Sequence, residues 1–123
     1  MEIWEQNGVK NRKFERYVPD NNVRVFNSIT DKPIGSVVNI SMGGFLLITE
    51  SPSIPEGAVF QLTLRCRNDE KSISDVSLGA TCLWHARGNS RDNNWNGFQI
   101  IDISEDQEAA LKNYINTLET ISP

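Results

Sequence analysis

AVFQLTLRCR, residues 58–67, sets Phe60, Leu62, Leu64 and Cys66 against Val59, Gln61, Thr63 and Arg65. Successive side chains of an extended strand point to opposite faces, so the even-numbered, more apolar set faces a core and the odd-numbered set faces outward. The run from Asp75 to Arg87 repeats the period, with Val76, Leu78, Ala80, Cys82 and Trp84 in every second place. Register is well specified by such a pattern, because a slip of one residue would turn the whole apolar set to solvent. NDEKS (68–72) between the two runs has the charge and turn residues of a hairpin loop.

The same grammar extends in both directions. VRVFNSIT (23–30) alternates apolar and polar residues, TDKPIG (30–35) supplies the turn formers Asp31, Pro33 and Gly35, and SVVNIS (36–41) begins a second run, which together read as a hairpin. GFLLITE (44–50) is a third strand candidate, and SPSIPEG (51–57), with two prolines and a glycine, cannot continue a ladder. Downstream, GNSRDNNWNG (88–97) reads as a polar loop leading into FQIIDIS (98–104), the last strand. Six short strands joined by turns describe an all-β antiparallel barrel or sandwich. The period then changes. Ser104 is placed to cap a helix, Gln107 stands three residues on, Glu105 and Asp106 fall in the first turn, and Leu111, Tyr114, Ile115 and Leu118 recur at helical spacing. One C-terminal amphipathic helix is expected to cover an open end or edge of the sheet.

Composition narrows the function. The 123 residues suffice for one compact core, and no apolar run approaches the ~20 residues needed to cross a bilayer. The opening MEIWEQNGVK lacks a basic stretch followed by an apolar one, so the reading is a cytoplasmic protein without membrane insertion. Cys66 and Cys82 each sit in an apolar strand-like run, the setting of buried free thiols rather than a disulfide framework. His85 is the only histidine, which excludes zinc sites built from several imidazoles; it reads as a strand residue near the surface. Trp95, in its polar loop, reads as a core-packing residue. A net charge of −4 argues against binding a nucleic-acid polymer, which rewards a broadly positive field.

Catalytic patterns are lacking. Ser41 has no upstream glycine to make a nucleophile elbow, no Walker-type loop occurs, and the carboxylates fall mainly in loops and the first turn of the helix. The chain reads as a non-enzyme without a cofactor.

Chemistry concentrates in two short segments. NRKFER (11–16), with Lys10 before it, sets Lys10, Arg12, Lys13 and Arg16 against Glu15 alone, a local cation cluster suited to a small anion. VPDNN (18–22) separates it from the first strand, so residues 1–22 read as an arm and 23–119 as the β-domain with its closing helix. Arginines four apart share a face of a helical turn or, on an arm, fold back together over a neighbouring surface. Their planar forks match phosphate oxygens and the O6 and N7 acceptors of guanine. In NISMGG (39–44), strand alternation puts Asn39 and Ser41 on one side, while Gly43 and Gly44 permit positive φ and close approach of a ligand. The bland alternative is a hairpin turn whose Asn and Ser bond to their own backbone.

Arg-x-x-x-Arg at 12–16, followed by Asn-x-Ser-x-x-Gly at 39–44, a six-strand pattern and a terminal helix, resembles the PilZ domain family, bacterial receptors for cyclic di-GMP. The likeness runs from about residue 10 to 118 and includes the late GFQIIDIS strand. It implies a six-stranded antiparallel barrel, with Arg12 and Arg16 engaging phosphates and the guanine Hoogsteen edge. It also implies that Asn39 and Ser41 contact a guanine base, that Gly43 and Gly44 keep the turn open, and that Lys13 is an auxiliary phosphate contact. Arm docking and ligand binding would then be one event, read by a downstream protein. The competing expectation is a PilZ-like interaction module that does not bind the dinucleotide and docks a protein through Trp4, Trp95 or the helix.

Overall fold

A computed structural model describes residues 15–19, 23–50, 54–66, 75–88 and 93–118. Among these residues six strands, β1 (Arg24–Asn27), β2 (Pro33–Ile40), β3 (Gly44–Glu50), β4 (Val59–Arg65), β5 (Val76–Arg87) and β6 (Asn93–Asp102), precede one helix, α1 (Glu105–Ile115). The strands close into a barrel in the order β1-β2-β3-β6-β5-β4, every pair antiparallel. The barrel expectation therefore holds. Closure leaves no lateral edge for the helix to cover, and α1 packs Leu111, Tyr114 and Ile115 into the same core as the strands, in keeping with the open-end alternative.

Alternation builds that core. Leu62, Leu64 and Cys66 of the β4 run are fully buried while Val59 and Gln61 are exposed, and β5 buries Val76, Leu78, Ala80 and Cys82. Phe45 of β3 and Phe98 of β6 are register partners with rings stacked 5.5 Å apart, and Phe60 meets Phe98 edge-on at 6.2 Å. Each such ring pair adds roughly 0.5–1.5 kcal/mol beyond the area it buries.

Strand limits differ from the sequence reading in three places. β1 ends at Asn27, whose Oδ1 accepts from the N–H groups of Ile29 (2.9 Å) and Thr30 (3.2 Å) and so stabilises a turn over Ser28–Thr30. Pro33 opens β2 instead of breaking the turn region, as proline can at the first position of a strand. Most consequential, β6 starts at Asn93, five residues before Phe98: the supposed loop NNWNG pairs with β3 on one side and β5 on the other. Within it, buried Asn96 donates from Nδ2 to Thr49 Oγ1 at 2.9 Å. Trp95, paired with Ile48 of β3 and Ala86 of β5 within β6, is half-buried and outside the core cluster.

Bulges break the alternation. β2 inserts Val38 between Val37, opposite Leu47, and Asn39, opposite Leu46. β5 inserts Leu83 between Cys82, opposite Phe98, and Trp84, opposite Gly97. One extra residue turns everything after it to the other face. Trp84 thus leaves the inward series to which its spacing assigned it.

At the helix start Ser104 Oγ accepts from Gln107 N–H at 3.3 Å, as a capping residue should. The Gln107 side chain does other work: its Oε1 accepts from Ser77 N–H at 2.7 Å and ties α1 to β5.

Both cysteines are buried free thiols, as their setting in the sequence implies, and His85 is exposed on β5. Burial, reinforced by Asp75, pushes the Cys66 thiol from 9.0 up to about 12. Below pH 9 both folded and unfolded chains keep the proton; above it the unfolded chain loses a proton the fold retains, so stability falls until about pH 12, by about 1.4 kcal/mol per pH unit for one thiol. Urea unfolding at pH 9 and 10.5 should show the parent losing about 1–2 kcal/mol more than Cys66→Ala over that interval. Parallel losses in the two proteins would mean that the thiol ionises as readily in the fold as outside it.

Candidate functional site

Residues 15–19 lie against the end of β2. Tyr17 and Ile40 form an antiparallel bridge, Tyr17 N–H donating to Ile40 O at 2.8 Å and Ile40 N–H to Tyr17 O at 2.9 Å. That bridge delivers Arg16 to the barrel wall. Arg16 is 5% exposed and donates from Nη1 to Asn39 Oδ1, joining a residue from each of the two segments singled out in the sequence. Arg12 and Lys13 lie outside the described residues.

Ser41 makes the backbone bonds of a hairpin turn. Its N–H donates to Gly44 O at 2.8 Å, and its buried Oγ accepts from the N–H groups of Gly43 (3.1 Å) and Gly44 (3.2 Å) while lying 3.3 Å from Gly44 O. The hydroxyl closes the β2–β3 turn. Among the described residues positive φ occurs at Asp31 (60°) and Gly57 (86°), so neither Gly43 nor Gly44 uses the left-handed freedom expected of it. Gly44 is needed for a different reason: a Cβ there would fall 2.2 Å from Phe98 O on β6. Gly43 contributes its carbonyl, which accepts from Ile100 N–H at 2.9 Å.

The two bulges complete the surface around Arg16. Register partners run Asn39 to Leu46, Leu46 to Gly97 and Gly97 to Trp84, so these four residues form one row across β2, β3, β6 and β5. Partners in a ladder share a face, and this row shares the outer one, since the neighbouring row of Ile40, Phe45, Phe98 and Cys82 fills the core. With strands about 4.8 Å apart the row spans about 14 Å. An amide carrying a guanidinium stands at one end and an indole at the other. The indole lies over Gly97, where a Cβ would come 2.2 Å from Trp84 Nε1. Trp84 has no motif to announce it, and strict alternation hides it inside the barrel. Among the described residues no cluster of His, Cys, Asp and Glu could hold a metal ion.

Two outcomes test this geometry. Gly44→Ala should cost the unliganded protein about 1–3 kcal/mol in urea unfolding, because the added methyl meets backbone rather than a flexible side chain. A stable Gly44→Ala would mean that β3 and β6 separate there at little cost. In a double-mutant cycle of Arg16→Ala and Asn39→Ala, the coupling should amount to about 1–3 kcal/mol of unliganded stability, as for a hydrogen bond to a charged group. Additive losses would dissolve the pair.

The family model of the PilZ domain matches residues 10–117. Among solved structures, the Bacillus subtilis inhibitor of motility MotI/DgrA superposes with a TM-score of 0.64 at 19% identity over 87% of this chain, which spans 50% of that one. The PilZ domain of Escherichia coli YcgR, solved with c-di-GMP, gives 0.63 at 14% identity, covering 88% of this chain and 91% of that one. MrkH of K. pneumonia, also solved with c-di-GMP, gives 0.66 at 13% over 86% of this chain and 51% of MrkH. No curated protein matches at the level of sequence. At these identities the superpositions speak for the fold, and this chain spans about half the length of MotI and MrkH. The match over residues 10–117, the closed six-strand barrel and the closing helix place the chain in the PilZ domain family.

Proposed function

We propose that this protein is a non-enzymatic receptor for cyclic di-GMP that binds the dinucleotide at the Arg16–Asn39 end of the outer row and passes the event to a protein partner in the cytoplasm. The contact between Arg16 and Asn39 carries the reading, because it unites at one place the two segments that the family resemblance marks as ligand-binding. The c-di-GMP complexes of the YcgR PilZ domain and of MrkH, which share this fold, support it.

The chemistry is consistent. A guanidinium has five N–H donors in a planar fork, so Arg16 can meet a phosphate or a guanine edge by exchanging partners. Micromolar affinity needs about 8 kcal/mol while a good bidentate arginine contact gives about 1–3, so several groups must converge. Arg12 supplies the second fork, Lys13 an auxiliary charge, and Asn39 an amide. The indole of Trp84 offers a stacking surface for a purine, a contact worth about 1–3 kcal/mol. Ser41, Gly43 and Gly44 serve by holding the turn from which Asn39 is presented. Ligand binding fastens the segment around Arg12 to the barrel, and that docking is the output.

Calorimetric titration with cyclic di-GMP should give saturable binding. Arg12→Ala should weaken it at least tenfold with an unchanged melting temperature, Trp84→Phe should weaken it less, and hydrogen exchange across residues 8–22 should slow on adding ligand. No heat and no protection at high micromolar dinucleotide would leave the protein-docking module as the function of this barrel.

A further inference from the structure

Next to the outer row, towards the start of β2, lies a surface cleft of about 410 Å³. Arg24, Ser36 and Asn93 give it polar walls, and Pro33, Ile34 and Ile48 give it apolar ones. Its cationic end is built unusually. Arg24 on β1 lies directly opposite Arg65 on β4, a like-charge cross-strand pair that works against the sheet. Both guanidinium groups lean on Phe26, with Cζ 4.1 Å (Arg65) and 5.8 Å (Arg24) from the ring centroid. Acidic relief is thin: among the described residues Arg65 meets Asp75 only at 3.9 Å, and Arg24 forms no ion pair.

We infer that this cleft is a docking site for an acidic, apolar-containing segment of a partner protein. Exposed Arg24 beside half-buried Arg65, in a chain of net charge −4, attracts carboxylates locally. The apolar walls separate this occupant from a free anion, which would gain nothing from Ile34 and Ile48. Size agrees as well: from Arg24 on β1 to Asn93 on β6 is three strand spacings, about 14 Å, the length of about four extended residues. A carboxylate would sit at Arg24, whose charge Arg65 reinforces from the neighbouring strand, an apolar side chain over Ile48, and the segment's backbone against Ser36 and Asn93.

The probe is a blocked tetrapeptide alternating Glu and Leu, titrated into the full chain and followed by amide shifts in ¹⁵N spectra. Saturable shifts are expected at residues 24–26, 34–36 and 48, at least tenfold weaker in Arg24→Gln and reduced at high salt. Arg24→Gln, which removes one of two opposed like charges, should melt no lower than the parent and should bind cyclic di-GMP as the parent does. The inference fails if the matching Gln–Leu peptide produces equal shifts, if inorganic phosphate saturates the same residues with equal affinity, or if no shifts occur. It also fails if Arg24→Gln loses dinucleotide affinity, since the cleft would then belong to that site; parent protein that ignores the dinucleotide but takes the peptide would fail the receptor reading alone.

Discussion

Closing six strands into a barrel satisfies every lateral edge and at the same time assigns each side chain a face. From Val37 inward-facing, strict alternation would carry Asn39 into the core; from Cys82 it would carry Trp84 there too. A single inserted residue in each strand, Val38 and Leu83, reverses both assignments. An amide and an indole consequently stand on the outer wall, three strands apart, without any disturbance to the stacked Phe45 and Phe98 behind them. The proposed site is therefore a product of two ladder irregularities on the strands that flank β3 and β6.

The residues between those two are matched to this arrangement. Leu46 fills its place so closely that only 7% of it is exposed, and Gly97 has no side chain at all, which lets the indole of Trp84 lie across it. Gly44 plays the parallel part nearer the turn, allowing β3 to approach Phe98 O. In both cases the glycine matters for what it leaves out beside a neighbouring strand. Backbone dihedral freedom is used elsewhere, at Gly57.

Much of the architecture is legible from residue order because burial and period agree. Phe60, Leu62 and Leu64 declare the inner face of β4, and Leu111, Tyr114, Ile115 and Leu118 declare that of the helix. Legibility ends where a partner far away in sequence decides. NNWNG looks like a loop because asparagine is a poor strand former, yet its backbone is paired on both sides and Asn96 finds Thr49, 47 residues away. Ser104 and Gln107 spell a capping box, but the glutamine spends its oxygen on Ser77 of β5. Arg16 is recognisable as a phosphate-matching fork, whereas its burial against Asn39 depends on the Tyr17–Ile40 bridge, a pairing between distant residues that leaves no local signal.

What kind of ligand the outer row suits follows from its two ends. A simple anion would need only the guanidinium, and a lone planar base would need only the indole; neither accounts for a continuous floor of Leu46 and Gly97 linking them. Under the proposed function, a molecule bearing phosphate and purine together would use the whole row, because fixing one end on a rigid ladder places the other at a set distance and much of the ordering cost is met once. Sheet walls hold such distances better than loops do. On the proposed reading, selectivity would come from the spacing between a guanidinium held at the wall by the Tyr17–Ile40 bridge and an indole fixed on β5.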